Sequence, residues 1–77
     1  MFVHLGGDVV VLREEIIAIL DYRANTKEIP KGDGSVQNLA EKGKEKSWVI
    51  TTNEIFISPI SSGTLKKRAE NFYQNVF

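Results

Sequence analysis

Ser47-Trp48-Val49-Ile50-Thr51-Thr52-Asn53-Glu54-Ile55-Phe56-Ile57-Ser58-Pro59 is the stretch that decides the fold. Two runs rich in β-branched and aromatic residues flank Thr52-Asn53, which reads as a hairpin. Pro59 ends it, because a proline nitrogen has no hydrogen to give to a ladder. Beyond Pro59 the apolar period changes. Ser61 and Ser62 offer hydroxyls to cap a helix starting at about Gly63. Leu65, Ala69, Phe72 and Val76 then recur at steps of four, three and four, which lines one helix face. Lys66, Lys67 and Glu70 fall on the outer arc, with Arg68 near the edge of the apolar stripe. A hairpin handing over to an amphipathic helix places the chain in the α+β class.

Toward the N-terminus, residues 24–46 turn polar. Ile29-Pro30 breaks any helix there, and Lys31-Gly32-Asp33-Gly34 is turn chemistry. Ser35 is placed to cap a short helix, Val36-Gln37-Asn38-Leu39-Ala40-Glu41-Lys42, stopped by Gly43. Further upstream, Ile16-Ile17-Ala18-Ile19-Leu20-Asp21-Tyr22 suits a helical stripe or a buried strand, and its shortness favours a strand. Arg13-Glu14-Glu15 separates it from Phe2-Val3-His4-Leu5 and Asp8-Val9-Val10-Val11-Leu12, two strand candidates joined by Gly6-Gly7, a pair that tolerates positive φ. The expectation is a small antiparallel sheet of about four to five strands, a C-terminal α-helix and a short helix or loop insert, all in one domain over 1–77.

With 77 residues and no cysteine, a disulfide framework and a thiolate metal site are excluded. The lone His4 cannot form a multi-histidine site, so it reads as a strand residue. The opening Met1–Asp8 has no basic region and too short an apolar run for a signal peptide, and no stretch approaches a membrane span. The reading is a soluble, cytoplasmic protein. Charge balances at 10 Lys+Arg against 10 Asp+Glu, but unevenly. In the first 26 residues Arg13 and Arg23 oppose Asp8, Glu14, Glu15 and Asp21, a net −2. Neutrality disfavours strong non-specific nucleic-acid binding by a lone monomer, yet Lys42/Lys44/Lys46 and Lys66/Lys67/Arg68 form local basic clusters.

The strands carry a second message. A sheet wetted on one side alternates apolar and polar residues, whereas Val9–Leu12, Ile16–Leu20, Trp48–Ile50 and Ile55–Ile57 are apolar on both faces. One helix covers one face, so the other is expected to meet a second protomer in a homo-oligomer. Catalysis finds little support. Glu14, Glu15 and Asp21 read as solvated charges, because a paired-carboxylate site needs an enclosed cleft. Asp8 after Gly6-Gly7 reads as a turn and not a phosphate cradle. Ser58, Ser61 and Ser62 read as turn and capping residues. No enzyme, catalytic residue, metal or cofactor is expected.

Phe2-Val3-His4-Leu5-Gly6-Gly7-Asp8, Ile17-Ala18-Ile19-Leu20-Asp21 and Ile57-Ser58-Pro59-Ile60-Ser61-Ser62-Gly63-Thr64-Leu65-Lys66-Lys67-Arg68-Ala69 together resemble the RemA/RemB family of extracellular-matrix regulatory proteins of Firmicutes. The likeness runs in order over nearly the whole chain, with the middle segment least alike. It implies a small cytoplasmic bacterial protein that binds double-stranded DNA as a transcriptional regulator of biofilm-matrix genes and assembles into rings with a repeated basic surface. In RemA-like members a basic loop before the penultimate strand contacts DNA. Its counterpart here makes Lys42, Lys44 and Lys46 the primary expected contacts, with Lys66, Lys67 and Arg68 as a secondary surface. Two departures stand out: that loop has lysines interrupted by Gly43 and Glu45 where RemA-like members have adjacent arginines, and Glu14-Glu15 stands where they have an arginine before the third strand. The departures favour a second reading, an assembly module that acts through a partner such as a RemA-like paralogue.

Overall fold

A computed structural model describes residues 1–23 and 35–76, with side chains for 1–23 and 36–70. The elements run β1 (Phe2–Gly6), β2 (Val9–Leu12), a 3-10 turn (Arg13–Glu15), β3 (Ile16–Asp21), β4 (Ser35–Asn38), β5 (Ser47–Thr51), β6 (Glu54–Ser58) and α1 (Ser62–Val76). They form an α+β fold with two sheets, a two-stranded ribbon β1-β2 and a four-stranded sheet of order β3-β5-β6-β4. The expected turn at Lys31–Gly34 and the break at Ile29-Pro30 lie outside the described residues, as do the side chains of Phe72 and Val76.

Both hairpins form where the turn residues place them. Gly6 and Gly7 take φ of +119° and +57°, and β5 and β6 pair antiparallel from Ser47↔Ser58 to Ile50↔Ile55. The expected helix over 36–42 does not form. Ser35–Asn38 instead adds to the sheet as a strand parallel to β6, with Val36 opposite Ile55 and Asn38 opposite Ile57. Val and Asn are mediocre helix formers, and the open edge of β6 offers a ladder that an isolated seven-residue helix cannot match. Asn38 then ends the strand, its Oδ1 accepting the Ala40 amide at 2.9 Å. The outcome is six strands in two sheets, one pair of them parallel.

The core lies between the ribbon, the larger sheet and α1. Val3, Leu5, Ile19, Val49, Phe56 and Leu65 form one buried cluster. Ser61 caps α1, its Oγ accepting the Thr64 amide at 3.3 Å, and Leu65 is the helix residue driven fully into the core. Ser58 does more than end a strand: buried, it donates its hydroxyl to the Leu5 carbonyl and accepts the Ile60 amide, so it bridges the two sheets. Ser47, also buried, donates to the Ile60 carbonyl at 2.7 Å.

Apolar surface remains after this packing. On the ribbon, Val3 and Leu5 point inward while Phe2, 62% exposed, shares the outer face with His4, Val10 and Leu12. Ile17 sits at a register slip between Ile16 and Ala18 and is 65% exposed, an extra residue of the kind that bends a strand. The opposite face of the larger sheet carries Ala18, Leu20, Trp48, Ile50, Ile55 and Ile57, the two-sided apolar pattern of the sequence, with Ile55 and Ile57 buried and the other four half-buried.

Gly6 packs its backbone closely against Pro59, just past the end of β6. A Cβ there would stand 2.9 Å from Pro59 Cδ, whereas at Gly7 nothing lies within 4 Å. Gly6→Ala is therefore expected to destabilise the fold by about 2 kcal/mol through strain and overpacking, lowering Tm by roughly 10 °C for a domain of this size. Gly7→Ala, strained in φ alone, should cost about half as much. Paired thermal melts check the difference.

Candidate nucleic-acid interface

The lysine loop is built by main-chain bonds at both ends. The chain leaves β4 with the Leu39 amide on the Ile57 carbonyl at 2.8 Å. A tight turn comes next, closed by the Lys44 amide on the Glu41 carbonyl at 2.9 Å, with Gly43 at φ +86°. That backbone conformation suits glycine, which explains the residue between two lysines. Lys46 is then gripped from two strands: its amide donates to the Ser58 carbonyl at 2.9 Å and its carbonyl accepts the Tyr22 amide at 3.1 Å. Lys46 therefore projects from a held backbone, while Lys42 and Lys44 ride on the turn.

All three lysine side chains are exposed. Lys44 stands 3.5 Å from Glu41 in an ion pair open to water, a contact worth about 0–1 kcal/mol that leaves the lysine available. Lys42 and Lys46 make no ion pair among the described residues. The loop lies against the start of α1, since Gly43, Glu45, Lys46 and Ser61 line one hollow of about 270 Å³ with Asp21 and Arg23. Lys66 and Lys67, also exposed, stand about 8 Å farther along the helix axis at the usual rise per residue. Arg68 is partly committed elsewhere: its Nη1 donates to the His4 carbonyl at 3.2 Å, tying α1 to β1. Arg13 makes the companion tie, its Nε donating to the Ala69 carbonyl at 3.0 Å.

Three acidic residues stand at the other end of the larger sheet. Glu15 lies by the β5–β6 turn, its carbonyl accepting the Thr52 amide at 3.0 Å and its carboxylate the Asn53 side chain at 3.3 Å. Glu14 faces the terminal amine at 3.9 Å, and Glu54 begins β6. From Lys46 to Thr52 the length of β5 intervenes, about 20 Å at the usual rise per strand residue. Charges that far apart across water are separated by more than two Debye lengths at physiological salt, about 8 Å each. Glu14 and Glu15 are thus screened from the basic end, and among the described residues Glu41, Glu45 and Asp21 stay beside the lysines.

Arg23 is the residue that reading along the sequence passed over. It is exposed and shares the hollow with Lys46, because β3 ends beside the point where β5 begins, which only the strand pairing reveals. Among the described residues no helix is long and apolar enough to cross a membrane.

Comparison with known proteins places the chain. The family model RemA-like, described as extracellular matrix regulatory protein A-like, matches residues 2–69. "Extracellular matrix regulatory protein B" of Bacillus subtilis (strain 168) is 38% identical over 78 residues, spanning 96% of each chain. The match includes both hairpins, the lysine loop and the start of α1, and on that breadth the protein belongs to the RemA-like family of extracellular matrix regulatory proteins.

Proposed function

We propose that the chain is an oligomeric cytoplasmic regulator of extracellular-matrix and biofilm genes that binds double-stranded DNA through its phosphates. Lys42, Lys44 and Lys46 are the primary contacts, and Lys66, Lys67 and Arg68 the secondary surface. The observation that carries this reading is the placement of charge along the larger sheet: Lys42, Lys44, Lys46 and Arg23 outnumber Asp21, Glu41 and Glu45 at one end, while Glu14, Glu15 and Glu54 stand at the other. Neutrality of the whole chain then stops counting against a phosphate ligand. The exposed apolar residues Phe2, Val10 and Leu12 of the ribbon, with Ile17 and Val36, support self-association. Assembly repeats a modest basic patch, so each further contact forms at high effective concentration.

A second reading has one observation in its favour. Phe2, Val10 and Leu12 line a groove of about 340 Å³ whose charged residues are Glu15 and Glu54, a surface that suits a protein partner such as a RemA-like paralogue better than DNA. Titration of the intact oligomer with duplex DNA separates the two. Three lysine contacts per engaged protomer should make log K fall with log salt at a slope of about −2.7 per protomer. No binding at low salt would leave the partner-dependent reading standing, and a monomer at micromolar concentration by light scattering would remove the oligomer.

A further inference from the structure

The loop Glu41–Lys46 holds lysines and no arginine, but the end of β3 brings one to it. Asp21 turns the chain there, its Oδ1 accepting the Arg23 amide at 2.9 Å. Tyr22 between them is fixed twice, by its amide on the Lys46 carbonyl at 3.1 Å and by its ring, stacked on Trp48 with centroids 5.2 Å apart and planes 22° from parallel. Arg23 thus starts from a held backbone. Arg23, exposed, lines the same hollow as Lys46 and Gly43. Asp21 and Glu45 line that hollow too, yet the Arg23 guanidinium forms no ion pair among the described residues. The Ser61 hydroxyl is occupied by Thr64, to whose Oγ1 it donates at 2.9 Å. What the hollow offers a ligand is therefore a planar fork beside a point charge, and a fork takes two oxygens of one phosphate where a lysine takes one.

We propose that Arg23 is a phosphate contact of the basic end, holding the DNA backbone together with Lys46. This rests on the DNA-binding reading and adds the bidentate donor that the loop lacks. A flanking carboxylate should then oppose binding, so Glu45 acts as a brake on affinity.

Salt titrations of duplex binding by the intact protein test this. Arg23→Ala should weaken binding about tenfold on every sequence and flatten the salt slope by about one per engaged protomer. Arg23→Lys should restore the slope but stay a few-fold weaker, since charge returns without the fork. Glu45→Gln should tighten binding a few-fold. A merely structural arginine would leave the slope alone, and circular dichroism shows whether each variant is folded. If Arg23→Ala keeps wild-type affinity and slope while Lys46→Ala loses both, Arg23 is no contact and only this proposal falls. If inorganic phosphate at matched ionic strength displaces DNA from the wild type and not from Arg23→Ala, DNA and phosphate compete for Arg23 as the proposal requires; if phosphate binds through Arg23 without displacing DNA, the hollow takes free phosphate and the proposal is overturned. If the wild type binds no duplex at low salt, the DNA-binding reading fails first and takes the proposal with it.

Discussion

Leu65→Ala is expected to cost about 4 kcal/mol and to leave most of the chain unfolded at room temperature. Leu65 is the fully buried anchor of α1, seated among Val3, Leu5, Ile19, Val49 and Phe56. Truncation removes its transfer free energy and leaves a cavity that two rigid sheets cannot collapse into, which places the loss in the upper part of the usual range of about 2–5 kcal/mol. A core this small supplies only about 3–5 kcal/mol in all. Urea and thermal unfolding followed by circular dichroism measure the loss, and Lys66→Ala, exposed on the next position, should stay within about 0.5 kcal/mol of wild type. A Leu65→Ala protein that melts like wild type would show that α1 is not seated in that cluster.

The second large effect concerns binding. Replacing Lys42, Lys44 and Lys46 together by glutamate should reduce duplex affinity by on the order of a thousandfold at about 0.1 M salt, because each protomer loses three phosphate contacts and gains three repulsions. Oligomeric state should not change, since all three side chains point into water. The companion variant is Glu14→Gln with Glu15→Gln. If the length of β5 screens these carboxylates from the lysines, it should alter affinity less than about twofold. Equal effects from both sets would mean that DNA responds to the total charge of the protein and not to one end of its sheet.

How much of the fold and the site could be read beforehand depends on whether neighbours in space are neighbours in sequence. The hairpin at Ser47–Ser58 and the glycine turn at 6–7 are local, and turn chemistry alone places them. So is the cap at Ser61, one hydroxyl reaching three residues on. β4 is not local: nothing within Ser35–Asn38 announces a strand, and its backbone is satisfied by β6, which arrives 19 residues after each partner in the ladder, as from Ser35 to Glu54. The role of Ser58 escaped for the same reason, because Leu5, which its hydroxyl meets, lies 53 positions away. Of the site, Lys42, Lys44 and Lys46 were legible as a run. Arg23 was not, since β3 must pair with β5 before it stands beside Lys46. The separation of Glu14 and Glu15 from the lysine loop was not legible either, for a sum over the chain has no length scale and the sheet supplies one.

The ribbon and the larger sheet share no ladder, and this divides labour inside a very small protein. The exposed apolar residues Phe2, Val10 and Leu12 belong to one hydrogen-bonded unit, and the basic end belongs to the other. What joins them is the core cluster in which Val3 and Leu5 meet Ile19, Val49 and Phe56, together with α1, the arginine ties to His4 and Ala69, and the Ser58 hydroxyl on Leu5. The shared core makes the two units one cooperative object: neither ladder is large enough to stand alone, so ribbon and sheet are expected to unfold in a single step.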